Sequence, residues 1–465
     1  MKKYRFFALI LSVLTILQLL IPAAGGEEYV EEYDPAYDEA YAEAEETEDA
    51  EDAEAAEAEV QPGLPPELVC KGAILMELNS DSTVYEYNAD ARLFPASLTK
   101  IMTCMLALEH GNLSDEVTVD GALIEGMDED ASTINLVDGE TMSLEEMLYA
   151  VMVPSANDAS IVVAAHIAGS VEKFVEMMNT KAQELGCTGT HFVNPDGLHD
   201  ENHYTTPRDM AVITKAALQS ETFRTICATS VHELPETNAS AARMVYTTNY
   251  FMSTIITPDY YWEKVSGVKT GFTTPAGRCL VSLVEEGDYS YLSVVMGCET
   301  PEDADGAPIY GSFTESRKLL EYGLDNFRFA AVLSHLNPIA QVPVSSGAVK
   351  SVVVAPVDDV KALLPRNFEE SKIRIEHTLN GGEALTAPLK ADEVVGTATV
   401  TYDGRVVGRT DIRTVSAVER NKILATPTKD DPAFLRLVPI VIIVVALILL
   451  FLSWRSRRRT RRRRR

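Results

Sequence analysis

Hydrophobic positions follow two different spacings in the first large segment of the chain, residues 64–328. Near its start, an apolar run at 72–78 and an alternating stretch at 83–87 flank a turn-forming Asn-Ser-Asp-Ser sequence, which predicts an antiparallel strand pair. Further along, apolar residues recur three and four positions apart, which predicts amphipathic helices. The predicted helices are 97–108, 143–152, 156–168, 171–185 and 207–218; strands follow at 267–271, 278–284 and 291–296, and a closing helix at 313–322.

Strands at both ends of this segment enclose the helices. This order predicts an α+β fold in which one antiparallel sheet is flanked by helices. Residues 337–424 differ, because short alternating stretches are separated there by turn signals such as Asn380-Gly381-Gly382, which predict a small all-β domain. The sequence of this second domain has no cluster of nucleophiles, bases or metal ligands, so we assign it to spacing or docking rather than chemistry.

The N-terminal residues do not have the pattern of a globular domain. Residues 1–25 combine three basic residues, an apolar run and a small-residue stretch, which predicts a secretory signal peptide; the alternative is an uncleaved anchor helix. Residues 26–63 consist almost entirely of Glu, Asp, Ala and Tyr. Such a segment cannot bury a core, and we expect it to be disordered.

The C-terminal residues predict a membrane anchor. Residues 437–454 are almost unbroken Val, Ile and Leu, and the arginine-rich residues 455–465 follow directly. An apolar run of this length predicts a transmembrane helix, and the arginines place the tail in the cytoplasm. We therefore expect a single-pass protein of the cell membrane with its globular part outside.

Charge and cysteine content narrow the function further. The formal net charge is −30, which argues against nucleic acid as a partner. In an exported chain the six cysteines could form three disulfides. We expect mostly free thiols, because none forms a Cys-x-x-Cys pair and Cys104, Cys279 and Cys298 lie in strongly apolar stretches.

Three short polar motifs occur in a fixed order: Ser97-Leu-Thr-Lys100, Ser155-Ala-Asn157 and Lys269-Thr-Gly271. Positions i and i+3 share a helix face, so Lys100 can take the proton of Ser97 and activate it as a nucleophile. Taken singly, the motifs are equally compatible with a solvated lysine, a capping serine and an exposed turn. Their joint order favours one serine acyl-transfer site.

The surrounding sequence, from about residue 65 to 422, resembles the low-molecular-mass penicillin-binding proteins, which are D-alanyl-D-alanine carboxypeptidases. The segments that carry the resemblance are 94–103, 152–159, 191–198, 206–211, 267–273 and, in the second domain, 387–396. The resemblance implies a penicillin-binding/β-lactamase-like transpeptidase fold followed by a C-terminal β domain. It also implies removal of the terminal D-Ala from peptidoglycan stem peptides and inhibition by β-lactam antibiotics.

The resemblance and the chemistry together assign a role to each motif residue. Ser97 is the nucleophile that forms an acyl-enzyme, Lys100 is the general base, and Ser155 relays a proton to the leaving amine. The substrate-binding residues are Asn157 for the peptide backbone, Lys269 as a second cation, Thr270 and Thr273 for the terminal carboxylate, Gly271 for close approach of the strand, and Phe272, whose N–H with that of Ser97 stabilises the oxyanion.

The sequence also suggests several alternative functions. His199 and His203 have a spacing used by zinc peptidases, but no Glu directly follows the first His and helical spacing is absent, so we expect a polar loop and no metal or cofactor. A class A β-lactamase would need an additional glutamate, in a Glu-x-x-Leu-Asn sequence that does not follow Asn157. A catalytically weak wall-binding scaffold and a D,D-endopeptidase remain as alternatives.

One departure from the family pattern concerns the carboxylate pocket. Many relatives carry an arginine between the last strand of the sheet and the closing helix. In this chain no Lys or Arg occurs between Arg278 and Arg317. The terminal carboxylate is therefore expected to be bound less tightly, or by a different residue.

Overall fold

The computed structural model describes residues 64–127, 131–421 and 439–452. The predicted signal peptide, the acidic segment and the arginine-rich tail lie outside the described residues.

A five-stranded antiparallel sheet forms the centre of the first domain, with strand order β2-β1-β9-β8-β7. The predicted strand pair and the three later strands are confirmed, the later ones being longer than expected. Their bounds are β1 Gly72–Glu77, β2 Ser82–Tyr87, β7 Val265–Thr273, β8 Gly277–Glu286 and β9 Tyr289–Cys298.

Helices cover both faces of this sheet, as predicted. Successive residues of β1 point to opposite faces, so Ile74 packs into one hydrophobic core and Leu75 into the other. The larger core holds the helices of the central segment, and the smaller one holds the closing helix. The helices are α1 Lys100–His110, α2 Leu144–Met152, α3 Asn157–Ala168, α4 Val171–Glu184, α5 Pro207–Ala217, α6 Glu221–Cys227 and α7 Gly311–Asn326.

The prediction of a continuous helix over 97–108 was wrong at its start. Residues Ala96–Thr99 form a 3₁₀ turn, and α1 begins only at Lys100. Ala96 has a φ of 48°, a conformation that no regular helix contains. Ser97 therefore lies on a tight turn in front of the helix rather than within its first α-helical turn.

Short elements escaped prediction because they carry too few residues for a periodic pattern. They are α6 and two small hairpins, β3 Glu116–Thr118 with β4 Thr141–Ser143, and β5 Val231–Leu234 with β6 Arg243–Tyr246. Where cap signals were present, the helix starts agree with the sequence. The hydroxyl of Ser143 accepts a hydrogen bond from the N–H of Glu146 at 3.2 Å.

The C-terminal domain is built from strands, which confirms the predicted all-β class. A six-stranded sheet has the order β14-β16-β17-β12-β11-β15, and β10 pairs with β13. β10 begins directly after α7, at the end of the first predicted domain range, and extends beyond it. The strands are β10 Phe327–Leu333, β11 Ala340–Ser345, β12 Ser351–Pro356, β13 Val360–Pro365, β14 Ile373–Leu379, β15 Leu385–Thr386, β16 Val394–Tyr402 and β17 Arg405–Thr414.

Part of the predicted membrane anchor is described. Residues 439–452 are helical, whereas the remaining residues of the 437–454 span are outside the described chain. Across the described ranges, no helix combines the length and the apolar character needed to cross a membrane.

Candidate active site

Ser97 lies on the 3₁₀ turn between the sheet and α1, with its side chain partly exposed. The turn is closed by a hydrogen bond from the N–H of Leu98 to the carbonyl of Pro95 at 3.2 Å. The preceding residue, Ala96, and the following residue, Leu98, are buried. The backbone that carries the hydroxyl is thus fixed on both sides.

Lys100 lies behind Ser97 and is fully buried, not a solvated helix lysine. Its Nζ is 3.0 Å from Ser97 Oγ, 2.5 Å from Asn157 Oδ1 and 2.7 Å from the carbonyl oxygen of Asp196. Burial lowers the pKa of Lys100 to about 8, against the opposing attraction of the carboxylates of Asp196 and Asp158. The amine can therefore lose its proton near neutral pH and accept one from Ser97.

The loop that supplies the Asp196 carbonyl is held by its own side chains. Asn194 Oδ1 accepts from the N–H of Gly197 at 2.7 Å, and Asp196 Oδ1 accepts from the N–H of Leu198 at 2.8 Å. Gly197 has a φ of 89°, and a Cβ there would lie 1.9 Å from the carbonyl oxygen of Ala96. Only glycine allows this loop to pack against the nucleophile turn.

Thr99 and His203 join the same turn to the same loop. The ring Nδ1 of His203 accepts from the N–H of Val193 at 3.2 Å, so its Nε2 carries the proton and donates to Thr99 Oγ1 at 2.8 Å. Thr99 in turn donates to the carbonyl of Ala96 at 2.8 Å. Burial lowers the pKa of His203 to about 4, so the ring is neutral at physiological pH.

The contacts of His199 and His203 indicate what these two side chains do in the fold. Both ring nitrogens of His203 are engaged with protein groups, and His199 contacts the ring of Phe94 edge-on at 4.6 Å. Among the described residues no group of three or more His, Cys, Asp or Glu side chains is arranged to hold a metal ion. His203 is a structural support of the nucleophile turn.

The second motif lies at the start of α3. Ser155 is buried and has a φ of 70°, and Asn157 begins the helix with its side-chain oxygen on Lys100. Asp158 holds the neighbouring chain in place, because its carboxylate accepts from the N–H groups of Ile134 and Leu136 at 3.2 and 3.0 Å. Burial raises the pKa of Asp158, and these N–H groups oppose that shift.

The third motif lies on the edge strand β7. Lys269 is only 1% exposed, and its pKa is lowered well below the ordinary value by burial and then by the charge of Lys100. Two amines so placed cannot both hold a proton without cost. Gly271 lets the strand approach the nucleophile, since a Cβ there would lie 2.9 Å from the Pro95 carbonyl oxygen and 3.1 Å from the Ser97 nitrogen.

A cavity of about 230 Å³ opens over these motifs. Five of the predicted site residues line it, together with hydroxyl and aromatic side chains from three other parts of the domain. The lining residues are Ser97, Ser132, Ser155, Thr248, Tyr250, Thr270, Gly271, Phe272, Arg278, Cys279, Ser312 and Phe313.

The structure does not bring every predicted ligand to this cavity. Thr273, expected to bind a carboxylate, is not part of the described cavity wall; its Oγ1 accepts from the N–H of Ala276 at 3.3 Å and closes the turn after β7. Thr270 does line the cavity, and its hydroxyl is 2.5 Å from that of Thr248. Asn157 was expected to bind the substrate backbone, but its oxygen faces Lys100.

Several residues of the site were not found from the sequence. Asp196, Thr99 and His203 act through contacts about one hundred positions apart, which no local spacing reports. The Pro195-Asp196-Gly197 turn was visible as part of a family segment, but its contact with Lys100 was not. Cys279 lines the cavity as a thiol whose pKa burial raises to about 12. All six cysteines are free, in agreement with the expectation.

Comparison with known families identifies the class of protein that this arrangement defines. The profile of the D-alanyl-D-alanine carboxypeptidase family matches residues 57–300, and that of the penicillin-binding protein 5 C-terminal domain matches residues 330–420. The chain therefore belongs to the D-alanyl-D-alanine carboxypeptidases, the serine peptidases that include the low-molecular-mass penicillin-binding proteins. The resemblance drawn from the sequence motifs, and with it the enzyme class, is confirmed.

Individual relatives cover most of both domains. The chain is 31% identical over 348 residues to the D-alanyl-D-alanine carboxypeptidase DacF of Bacillus subtilis, covering 74% of this chain and 84% of that protein. It is 31% identical over 363 residues to DacA of Haemophilus influenzae, covering 76% and 86%. The crystal structure of penicillin-binding protein 5 from Haemophilus influenzae superimposes with a TM-score of 0.59 at 29% identity, covering 77% of this chain and 99% of that one.

Proposed function

We propose that this protein removes the terminal D-alanine from peptidoglycan stem peptides through an acyl-enzyme on Ser97, and that β-lactams inhibit it by acylating the same residue. The observation that carries this proposal is the contact between the buried Nζ of Lys100 and Ser97 Oγ at 3.0 Å. A serine becomes nucleophilic when a base of suitable pKa is within hydrogen-bonding distance. Lys100 satisfies both conditions.

In the first half of the reaction Ser97 Oγ attacks the carbonyl between the two D-alanines and Lys100 takes its proton. The amine is then an ammonium with three N–H groups, and the two oxygens of Asn157 and Asp196 already accept from it. Those acceptors stabilise the charge that proton transfer creates. The proton passes to the nitrogen of the leaving D-alanine, with Ser155 as the proposed relay.

In the second half a water molecule replaces the leaving group. Lys100, again neutral, takes a proton from this water as its oxygen attacks the ester carbonyl. The bond between the acyl carbon and Ser97 Oγ then breaks, and Lys100 passes the proton to Oγ, which frees the carboxylic acid product and regenerates the serine. Lys269 places a second amine beside the site, and the N–H groups of Ser97 and Phe272 are the proposed donors to the oxyanion. Gly271 brings the second of these donors within reach of the same carbonyl oxygen.

The test is to incubate the purified residues 64–421 with a penicillin and, separately, with a pentapeptide ending in D-Ala-D-Ala. We expect one covalent penicillin adduct by intact mass, and loss of one alanine from the peptide. Ser97→Ala should abolish both, whereas Ser312→Ala, which removes another hydroxyl of the same cavity, should keep the adduct. An adduct that persists in Ser97→Ala would overturn the assignment. Acylation without peptide turnover would instead indicate a penicillin-binding scaffold.

We also propose that the enzyme acts outside the cell membrane and is attached to it by its C-terminus. The apolar residues 437–454, the arginines that follow them and the signal-peptide pattern of residues 1–25 support this arrangement. The substrate of the proposed reaction is itself a component of the cell wall. The two ends of the chain and the chemistry of the site thus favour the same compartment.

A further inference from the structure

The cavity beside Ser97 contains a cation that the reaction as described does not use. Among the described residues that line it, Arg278 is the only one with a charged side chain; the others bear hydroxyl, thiol, aromatic or no side-chain groups. Lys100 and Lys269 are buried beneath the floor and do not form part of this wall. Any anionic group that enters the cavity therefore meets Arg278.

The guanidinium of Arg278 contacts two aromatic rings and one hydroxyl. Its central carbon lies 4.8 Å from the centre of the Phe272 ring and 4.2 Å from that of Tyr310, and its Nε donates to Thr300 Oγ1 at 2.8 Å. These contacts position the group and use one of its N–H donors. The edge formed by the two terminal nitrogens is the part that binds a carboxylate through paired hydrogen bonds.

Arg278 has no carboxylate partner of its own. In a chain with 70 acidic and 40 basic residues, the described part contains thirteen ion pairs, and Arg278 takes part in none of them. A half-buried, pre-oriented cation without a counter-ion is costly unless an anion occupies the site at some stage. The surrounding negative charge would otherwise repel an anionic substrate.

The strand register places Arg278 beside the residues that would hold the substrate. On the β7–β8 pair, Arg278 is directly opposite Phe272. Residues opposite each other, and residues two apart on one strand, share a face of the sheet, so Thr270, Phe272 and Arg278 all face the cavity. Arg278 thus lies two residue pairs along the strands from Thr270, and both residues line the same cavity as Ser97.

We propose that Arg278 binds the terminal carboxylate of the substrate and makes a free C-terminus the specificity requirement of this site. The proposal rests on the proposed function. It explains how the carboxylate is bound although no basic residue occurs between Arg278 and Arg317: the cation comes from the start of β8 instead of from the segment before α7. Ser312, near the start of α7, also lines the cavity and carries no charge.

The experiment compares a peptide ending in D-Ala-D-Ala with its C-terminal amide, which lacks the negative charge. The wild type should prefer the acid in kcat/KM by about 100-fold, as expected for a pair of charge-assisted hydrogen bonds. Arg278→Gln should lose most of this factor on the acid, through KM rather than kcat, and almost none on the amide. Arg278→Lys should recover only part of the preference, because an ammonium cannot form the paired bonds.

The ratio of acid to amide turnover does not depend on how much of a variant is folded, so a partly unfolded Arg278→Gln preparation still gives a decisive result. Arg328→Gln is the matched control, since Arg328 also stacks on a phenylalanine, Phe368 at 5.1 Å, but belongs to β10. Its ratio should equal that of the wild type. An Arg278→Gln ratio equal to that of the wild type would overturn the proposal.

The two proposals fail in distinguishable ways. If the wild type releases no D-alanine from the acid, the proposed function itself is wrong. If it releases D-alanine but the acid and the amide lose activity equally in Arg278→Gln, the reaction stands and Arg278 has only a structural role.

Discussion

Lys100 is completely buried and, in the proposed reaction, exchanges a proton in every catalytic cycle. Burial lowers its pKa to about 8, while the nearby carboxylates of Asp196 and Asp158 keep the pKa from falling further. The site therefore holds a base of intermediate strength. A more exposed lysine would stay protonated, and one without these carboxylates nearby would be too weak a base to take the Ser97 proton.

The pH dependence of acylation follows from this pKa. Only neutral Lys100 can accept the Ser97 proton, so the acylation rate constant should rise with pH and level off above about 8. Below that pH it should fall by about tenfold per unit, because the neutral fraction falls by that factor. The measurement is stopped-flow acylation by a chromogenic cephalosporin from pH 5.5 to 9.5.

The substitution Lys100→Arg removes the base but keeps a positive charge at this position. Arginine keeps the positive charge but does not deprotonate in proteins, so the variant should acylate at least about 100-fold more slowly and lose the pH-dependent rise. Lys181→Arg is the control, because Lys181 forms an exposed ion pair with Glu109. Circular dichroism would establish that each variant is folded. A Lys100→Arg variant with an unchanged pH profile would show that another group is the base.

The residues with local motifs were predictable, and those that act through space were not. Ser97 and Lys100 were found because a spacing of three on one turn reports their contact directly. The carbonyl of Asp196 could not be found this way, since any residue has a carbonyl and only the folded loop aims this one at Nζ. The position of Arg278 opposite Phe272 required the strand register.

At the scale of elements, the 3₁₀ turn and the 191–204 loop form one unit joined by Thr99 and His203. The neutral ring of His203 is required for this junction, because its Nδ1 must accept a hydrogen bond from Val193. A protonated ring cannot accept there. Burial lowers the pKa of His203, so the ring keeps this neutral form at physiological pH.

The free energy of unfolding should therefore decrease as the pH is lowered through a defined range. His203 has a pKa of about 4 in the folded protein against 6.5 for an unperturbed ring, so the unfolded chain binds more protons between these values. Its contribution is complete above pH 6.5 and is lost as the pH falls through about 4, amounting to about 3 kcal/mol in the free energy of unfolding. Urea unfolding at pH 4 to 7 would measure it.

Carboxylates elsewhere in the protein also titrate in this pH range. The contribution of His203 is therefore measured as the difference in pH dependence of stability between a variant and the wild type. His203→Gln should show a shallower loss of stability on acidification than the wild type, whereas His199→Gln should follow the wild type. His199 contacts only the ring edge of Phe94 among aromatic neighbours and makes no comparable junction. Parallel curves for the wild type and His203→Gln would contradict the assignment.

Element boundaries were predictable where local chemistry marks them. The sequence Ser143-Leu-Glu-Glu146 is typical of a capping box, and the hydroxyl of Ser143 accepts from the N–H of Glu146. The hydroxyl of Thr206 caps α5 in the same way by accepting from the N–H of Asp209. The start of α1 was not predictable, because the residues around Ser97 have ordinary helical composition. The 3₁₀ turn there depends on the loop that packs against Ala96, which is a tertiary cause.

At the scale of the whole molecule, the two domains are joined by more than the chain that connects them. Leu363 of β13 packs into the smaller core of the catalytic domain, and the Arg366 side chain donates to the carbonyl of Leu324 at 2.9 Å. The order of the domains and their classes were predictable from the change in hydrophobic spacing. The pairing of β10 with β13 was not predictable, since these strands are 27 residues apart in the chain, counting from Leu333 to Val360.

The proposed attachment to the membrane is a property of the whole chain and can be tested as such. A chain that ends at Asp431 lacks residues 437–454 and should be released as a soluble protein that still binds penicillin, whereas the full chain should sediment with membranes. Fractionation followed by labelling with a fluorescent penicillin measures both. If the shortened chain still sediments after its N-terminal segment is shown to be cleaved, another part of the protein must bind the envelope.

The packing around the nucleophile turn has a consequence for drug resistance. Gly197 presses on one side of the turn and Gly271 on the other, so a single methyl group added at either position would collide with the backbone that carries Ser97. Mutations that reshape this turn to exclude a penicillin would also disable the normal reaction. Selection for resistance in this enzyme is therefore expected at the rim of the cavity, where Phe272 is 55% exposed, rather than at either glycine.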